Sequence, residues 1–221
     1  MNHEEWLAAR RLGVSGTDIS VLLGLNPYKK VDDLVMDKLG IGKPFFGNAM
    51  TRAGQRLEPF VATYWATMND KKIRQGIFTQ SEIHPRFIGT PDFLLDDSGL
   101  EIKTGGERTY ATGCPDMYEC QSRWYMMITD KPVWDLVACI VPKDRSEIPW
   151  DDNELPEWIA NRPLREYRFE RSQDWEDRAT QVALQFLARM DGLKADGEKL
   201  LKDQGLLPTF LQSAPGSESP T

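Results

Sequence analysis

The sequence predicts an α/β fold, a mixed β-sheet flanked by helices, and three observations carry that prediction. Pro132–Val141, PVWDLVACIV, is a nearly continuous apolar run of the kind a strand shows when both its faces are covered. Leu57, Phe60, Val61, Tyr64, Trp65 and Met68 recur at helical spacing. Trp175, Ala179, Val182, Ala183, Phe186, Leu187 and Met190 form a second helical stripe. A chain of 221 residues with 40% hydrophobic content, including 7 Trp and 9 Phe, can build one real core, so a single domain is expected over 1–211. The polar tail 212–221, QSAPGSESPT, is expected to be disordered.

In chain order, WLAARRLGVSGTDISVLLGLNPYKK reads as a short helix, a small-residue turn and a second short helix, with Ser15, Thr17 and Asp18 as N-cap candidates. A helix from about Val31 should end at Gly40. Gly42 to Gly54 is loop-rich, and a helix is expected from Leu57, with Pro59 in its first turn and Glu58 near its start. Strands are expected at Lys72–Thr79, Arg86–Leu95 and Leu100–Thr104, and a helix at Met117–Thr129. Pro142 to Pro163 is polar and punctuated by Trp and Pro, and no element is assigned to it. Asp174–Met190 is an amphipathic helix that Gly192 should end, within a C-terminal helical part over about 150–205.

Composition excludes several function classes. The formal net charge is −7, so any contact with nucleic acid must come from a local basic patch inside an acidic shell. Cys114, Cys120 and Cys139 are odd in number and lack CxxC spacing, which argues against a disulfide framework or a zinc site. They read as packing residues or free thiols in a reduced, cytoplasmic chain. His3 and His84 are too few for a metal or triad site. MNHEEWLAAR has no apolar run like a signal peptide, and no stretch approaches a membrane span.

One hairpin does not fit a packing role. GTPDFLLDDSGLEIKT, Gly89 to Thr104, carries Asp92 before an Asp-Asp-Ser-Gly turn and Glu101 and Lys103 after it. Strand alternation puts Glu101 and Lys103 on one face and Ile102 on the other, so that face is either open to water or a reaction site. Carboxylates on adjacent strands can hold Mg²⁺ or Mn²⁺, which favour hard oxygen ligands, and such a metal polarises a phosphate and acidifies water. A lysine beside them can orient that water or offset transition-state charge. Glu58 alone reads as a charge favoured near a helix N-terminus. Gln121 and Tyr125, four apart, share a helical face and by themselves read as packing residues. Ser15, Gly16 and Thr17 open a helix just after Arg11, which suits either an anion or ordinary capping.

Together, Pro91-Asp92 and Glu101-Ile102-Lys103 match the PD-(D/E)xK nuclease motif. RLGVSGTDISVLLGLNPY, GQRLEPFVATYW and YECQSRWYMMIT resemble, in the right order, three further motifs of one branch of that superfamily, the phage lambda exonuclease and YqaJ-type alkaline exonucleases. The resemblance covers Trp6 to Val141; the last third of the chain does not enter it. It implies a restriction-endonuclease-like core over about 50–141, preceded by helices that bind a DNA end. Asp92 and Glu101 would be metal ligands, joined by the Ile102 carbonyl and by Glu58 as an additional acid. Lys103 would help activate the water, Gln121 would contact the water or the scissile phosphate, and Tyr125 would support the site. Arg11, Ser15 and Thr17 would form a pocket for a 5′-phosphate, although relatives more often carry serine where this chain has Thr17.

The activity implied is Mg²⁺-dependent 5′→3′ digestion of double-stranded DNA ends, with two ions in the site and Mn²⁺ as a substitute. It would leave 3′ single strands for homologous recombination by single-strand annealing. The partners implied are double-stranded DNA, a single-strand annealing protein and two further copies in a homotrimeric ring, with a phage or prophage origin in a bacterial host. A structure-specific or restriction-type endonuclease of the same fold, or a silent DNA-end-binding scaffold, remain alternatives. The full set of Glu58, Asp92, Glu101, Lys103 and Gln121 argues against the silent one.

Overall fold

The computed structural model of the protein describes residues 2–42 and 47–203; the tail expected to be disordered lies outside them. The chain opens with α1 (His3–Leu12), α2 (Gly16–Leu22) and α3 (Val31–Lys38), the helices expected there. Asn2 and Glu5 close a capping box on α1. On α2 the Asp18 carboxylate accepts from both the N–H and the Oγ–H of the N-cap Ser15, at 2.9 and 2.8 Å. Gly40 follows α3 at φ 76°, the left-handed conformation that glycine adopts without a steric penalty.

A buried lysine ties these three helices together. Lys38 donates to the carbonyls of Arg10 (2.5 Å) and Gly13 (2.7 Å) and to Asp18 Oδ2 (2.7 Å), which uses all three ammonium protons. Burial alone would raise the Asp18 pKa, but the Lys38 ammonium outweighs it and holds the carboxyl below its ordinary value. Lys38→Met should therefore cost about 3–5 kcal/mol in urea denaturation, because it leaves a buried carboxylate uncompensated. The sign with pH follows from the lowered pKa: the carboxylate's contribution is present above the ordinary value of 3.8 and is lost as pH falls through the lower folded one, whereas burial outweighs Asp18 at Lys38 and lowers the ammonium's pKa.

Next come α4 (Ala49–Met68), the two-residue strands β1 (Arg74–Gln75), β2 (Thr79–Gln80), β3 (Ile88–Gly89) and β4 (Phe93–Leu94), and the longer β5 (Ser98–Gly105). Then follow α5 (Asp116–Thr129), β6 (Val133–Ile140), α6 (Leu155–Ala160), β7 (Leu164–Glu170) and α7 (Gln173–Asp203). The main sheet has the order β1-β4-β5-β6-β7, and β2 and β3 form a separate ribbon. β5 and β6 run parallel, from Ser98 opposite Val133 to Gly105 opposite Ile140, with α5 as the crossover that parallel neighbours require. The other pairings between these strands are antiparallel, and Val14 makes an isolated parallel bridge to Phe87.

β6 is the centre of the molecule, and its alternation sorts the core into two layers. Trp134, Leu136, Ala138 and Ile140 face α2, α3, α5 and α7. Val137 and Cys139, with Leu100 and Ile102 of β5, face α4 and α6. Glu101 and Lys103 thus fall on the α5 side of the sheet.

Four expectations need correction. The helix expected to start at Leu57 begins at Ala49, where the Asn48 side chain accepts from Thr51 N at 2.9 Å. Pro59 therefore lies inside α4, and Glu58 at its middle rather than its start. The strands expected at Lys72–Thr79 and Arg86–Leu95 shrink to two-residue pairings. Pro85 and Pro91 have no N–H for a ladder, and the chain at Gly76 passes so close to Pro91 that a Cβ would lie 2.0 Å from its carbonyl oxygen. Gly192 does not end α7: nothing lies near it, and one exposed glycine costs only about 1 kcal/mol in a helix. Finally, β7 is an edge strand in a stretch to which the sequence assigned no strand; only Phe169 of it is buried.

Candidate active site

The tight β4–β5 hairpin, closed by Leu95 N–H donating to the Ser98 carbonyl at 2.9 Å, sets the position of the first acid. β4 pairs with β5 only as far as Phe93 opposite Leu100, so the next outward N–H on that side, Ile102's, needs another acceptor. Asp92 Oδ2 supplies it at 2.8 Å. The N–H and C=O of one residue in an extended strand point the same way, so the Ile102 carbonyl also faces the Asp92 side, where β4 has ended.

On the opposite face of β5, Glu101 is 0% exposed. Its Oε1 accepts from Lys103 Nζ at 2.5 Å, and its Oε2 has no partner. The Lys103 ammonium also lies 5.2 Å from the centroid of the Tyr118 ring. α4 approaches β5 closely at Gly54, where a Cβ would stand 3.1 Å from Thr104 Oγ1. One face of α4 thereby brings Thr51, Gln55 and Glu58 to the same space. From α5, Gln121 donates to Tyr125 Oη at 3.0 Å. The result is one cavity of about 540 Å³ lined by Glu58, Asp92, Glu101, Ile102, Lys103, Gln121 and Tyr125, all of the expected catalytic set.

The same cavity extends to Ser15 and Thr17. Two glycines make that junction possible. A Cβ at Gly16 would lie 3.0 Å from Gln121 Cγ, and one at Gly89 2.6 Å from Tyr125 Cε1. Of the expected pocket residues, Arg11 is the one the structure does not bring in: it is exposed on α1. Arg10 lines the cavity instead, donating to Thr17 Oγ1 at 3.3 Å and lying 4.9 Å from the centroid of the Trp6 ring. Trp6 and Arg10 are one helical turn apart, a spacing visible in the sequence, whereas Arg11 is the arginine nearer the turn. Thr51 lies in the loop-rich stretch Gly42 to Gly54, and Gln55 lies within GQRLEPFVATYW but is neither an acid nor a base that chemistry would single out.

The electrostatics are those of a site short of positive charge. Burial, then Asp92, push Glu58 up to about 7. The same two causes push Glu101 up to about 8, against the pull of Lys103. Asp92 is raised by burial, partly offset by Lys103 and the Ile102 N–H. Burial would lower Lys103, but Glu101 and Asp92 outweigh it and hold the ammonium charged. Three carboxylates thus face one ammonium.

Among the described residues, no three His, Cys, Asp or Glu side chains already stand as a metal cage, since Lys103 and the Ile102 N–H engage one oxygen each of Glu101 and Asp92. The donor set nonetheless fits a hard divalent cation. The partnerless Glu101 Oε2, the carboxylates of Asp92 and Glu58 and the Ile102 carbonyl are all oxygen donors, in charge excess.

Other sequence readings are settled by placement. Cys120 and Cys139 are buried, Cys114 is half-buried, and all three are free. His84 Nδ1 accepts from Arg86 N–H at 3.1 Å, a turn contact. Among the described residues no helix is long and apolar enough to cross a membrane.

A helix-flanked mixed sheet with Asp92 and Glu101-Ile102-Lys103 at the ends of its central hairpin defines the restriction-endonuclease-like class of fold. Solved structures agree. An alkaline exonuclease from Laribacter hongkongensis, LHK-Exo in complex with dAMP, superposes with a TM-score of 0.67 at 22% identity over 93% of this chain and 100% of that one. A phage-related exonuclease from Haemophilus somnus 129PT superposes with a TM-score of 0.63 at 14% identity, over 86% and 99%. The model of the YqaJ-like viral recombinase domain matches residues 5–132, more than half of the chain, and the chain belongs to that family. It is 38% identical over 77 residues to protein YqaJ of Bacillus subtilis (strain 168), covering 34% of this chain and 24% of that protein. It is 24% identical over 168 residues to protein R354 of Acanthamoeba polyphaga mimivirus, covering 67% and 30%. The chain thus spans less than a third of the length of either relative.

Proposed function

We propose that the chain is a Mg²⁺-dependent exonuclease that digests double-stranded DNA from its 5′ ends and exposes 3′ single strands for recombination by annealing. The observation that carries this reading is the convergence of Glu58, Asp92, Glu101, Lys103 and Gln121 in one cavity whose far part holds Arg10, Ser15 and Thr17. Membership of a viral recombinase family supports the recombination role, and the fold neighbour solved with dAMP supports a nucleotide at such a site.

Asp92, Glu101, the Ile102 carbonyl and Glu58 would hold a divalent cation, which when bound would supply Lewis acidity to the scissile phosphate and the attacking water. The chain's own residues do the rest. Lys103, kept charged by Glu101 and Asp92, offers its other protons to a non-bridging phosphate oxygen as charge builds there. Gln121 has its amide N–H engaged by Tyr125 Oη, which leaves the amide oxygen to orient the water. Glu58, on the α4 side of the same cavity, would hold the water's shell through its carboxylate. Tyr125 fixes Gln121 and packs beneath Gly16 and Gly89, coupling the reaction centre to the end-binding turn. Arg10, Ser15 and Thr17 bind the terminal 5′-phosphate and so set which bond is cut.

The ring-shaped homotrimer explains how a chain of net charge −7 stays on DNA, by enclosure rather than affinity. Sedimentation should then give three times the 25.2-kDa chain mass, and a monomer that digests processively would refute the ring. The activity itself is tested on one plasmid, linearised or covalently closed. The linear form should be degraded with Mg²⁺ and bound but barely cut with Ca²⁺, while the closed circle survives. Cutting of the closed circle would instead assign an endonuclease of the same fold.

A further inference from the structure

The segment Pro142–Pro163, to which the sequence assigned no element, presents an exposed tryptophan beside a surface depression. Trp150 is 90% exposed, an unusual state for so large an apolar ring. It is not loosely tethered. Arg56 of α4 clasps the loop around it, donating to the carbonyls of Pro149 (2.6 Å) and Trp150 (2.7 Å) and twice to Asp152 Oδ1 (2.9 and 2.7 Å). The clasp fixes the backbone on both sides of the indole and leaves the ring facing solvent.

Trp150 lines a depression of about 470 Å³, which shares Arg145 with a second depression of about 770 Å³. Their combined lining holds six cations, Arg52, Arg56, Arg108, Lys143, Arg145 and Arg162, and only two acids, Glu107 and Glu147. In a chain of net charge −7 these linings are cationic, although the loop itself also carries Asp144, Asp151 and Asp152, of which Asp152 is paired with Arg56. Arg52, Arg108 and Lys143 have no ion-pair partner among the described residues.

The surface adjoins the reaction cavity through α4. Thr51, Gln55 and Glu58 face the cavity, while Ala49, Arg52, Ala53 and Arg56 face the groove. At 3.6 residues per turn those are nearly opposite faces of one helix. The depression that Trp150 lines also holds Arg52, Arg56 and Arg145, so the indole stands beside three guanidinium groups. A cationic groove beside a presented aromatic ring suits an anionic chain with flat, unpaired rings.

We propose that the Trp150 groove binds single-stranded DNA, namely the strand that is not cut as its partner is consumed in the cavity on the other side of α4. This rests on the exonuclease reading above. Stacked, paired bases in a duplex cannot offer a face to the indole, so the site takes an unpaired strand: Trp150 stacks on a base, and Arg52, Lys143 and Arg108 hold phosphates.

The test is fluorescence anisotropy of a labelled dT15 oligonucleotide with the full chain in chelator, where no turnover occurs. Trp150→Ala should weaken binding roughly tenfold or more, and Trp150→Phe should restore most of it. Arg52→Ala combined with Lys143→Ala should flatten the log–log salt dependence by about 1–1.5. A fully paired duplex should be far less sensitive to Trp150→Ala. Melting curves confirm that each variant is folded. Oligonucleotide binding by all these folded variants equal to wild type would overturn the proposal. Failure of the exonuclease reading would show separately, as linear duplex left intact by the wild-type chain with Mg²⁺.

Discussion

Asp92→Asn should abolish digestion of linear duplex while leaving the melting temperature unchanged or higher. The asparagine carbonyl can still accept from Ile102 N–H, the contact that carries the structural role of Asp92. The change removes one of three crowded carboxylates whose mutual repulsion the fold has to bear, so stability does not fall. A neutral amide is a poor ligand for a hard cation, and losing several kcal/mol of transition-state stabilisation corresponds to about a thousandfold in rate or more. Single-turnover digestion and a thermal melt on the same preparation check both halves. Wild-type turnover by Asp92→Asn would remove the acid from the reaction, and a large drop in melting temperature would make its role structural.

The second large effect is expected at the 5′ end. A duplex with 5′-phosphates should be digested faster than one with 5′-hydroxyls, and Arg10→Ala should shrink that ratio by about tenfold or more. A hydrogen bond to a charged group contributes about 1.5–3 kcal/mol, and Arg10 is the cation in the cavity nearest Ser15 and Thr17. Arg11→Ala should leave the ratio near its wild-type value, because that side chain stands outside the cavity. Rates are compared at one low salt concentration, since phosphate contacts weaken as salt rises. If Arg11→Ala rather than Arg10→Ala collapsed the ratio, the pocket would have to close around α1 differently when DNA binds.

The pair Arg10 and Arg11 shows where reading the sequence stopped. Spacing along α1 cannot say which of two neighbouring arginines turns inward; that depends on Lys38, which fixes the end of α1 by accepting nothing and donating to the Arg10 and Gly13 carbonyls. Asp92, Glu101 and Lys103 were legible because a tight hairpin and strand alternation place them almost by covalent geometry. β6 and α5 were legible for the same reason, since burial on both faces and a helical stripe leave clear patterns. The start of α4 was not: Asn48 and Thr51 cap it without an apolar signal, and Pro59 imitated a beginning. The Trp150 loop was opaque for a different reason. Its order comes from Arg56, roughly ninety residues earlier in the chain, and no local pattern records such a contact.

The central claim is that this cavity hydrolyses DNA from the 5′ end with a divalent metal. Its most direct test is a digestion time course on a linear duplex carrying one label at the 5′ terminus and a second, distinguishable label in the interior of the same strand, with Mg²⁺ and with chelator. The terminal label should appear first, as free mononucleotide and only with Mg²⁺, and the interior label only after the intervening nucleotides are gone. Release of the interior label at the same time as the terminal one, or equal digestion in chelator, would contradict the account.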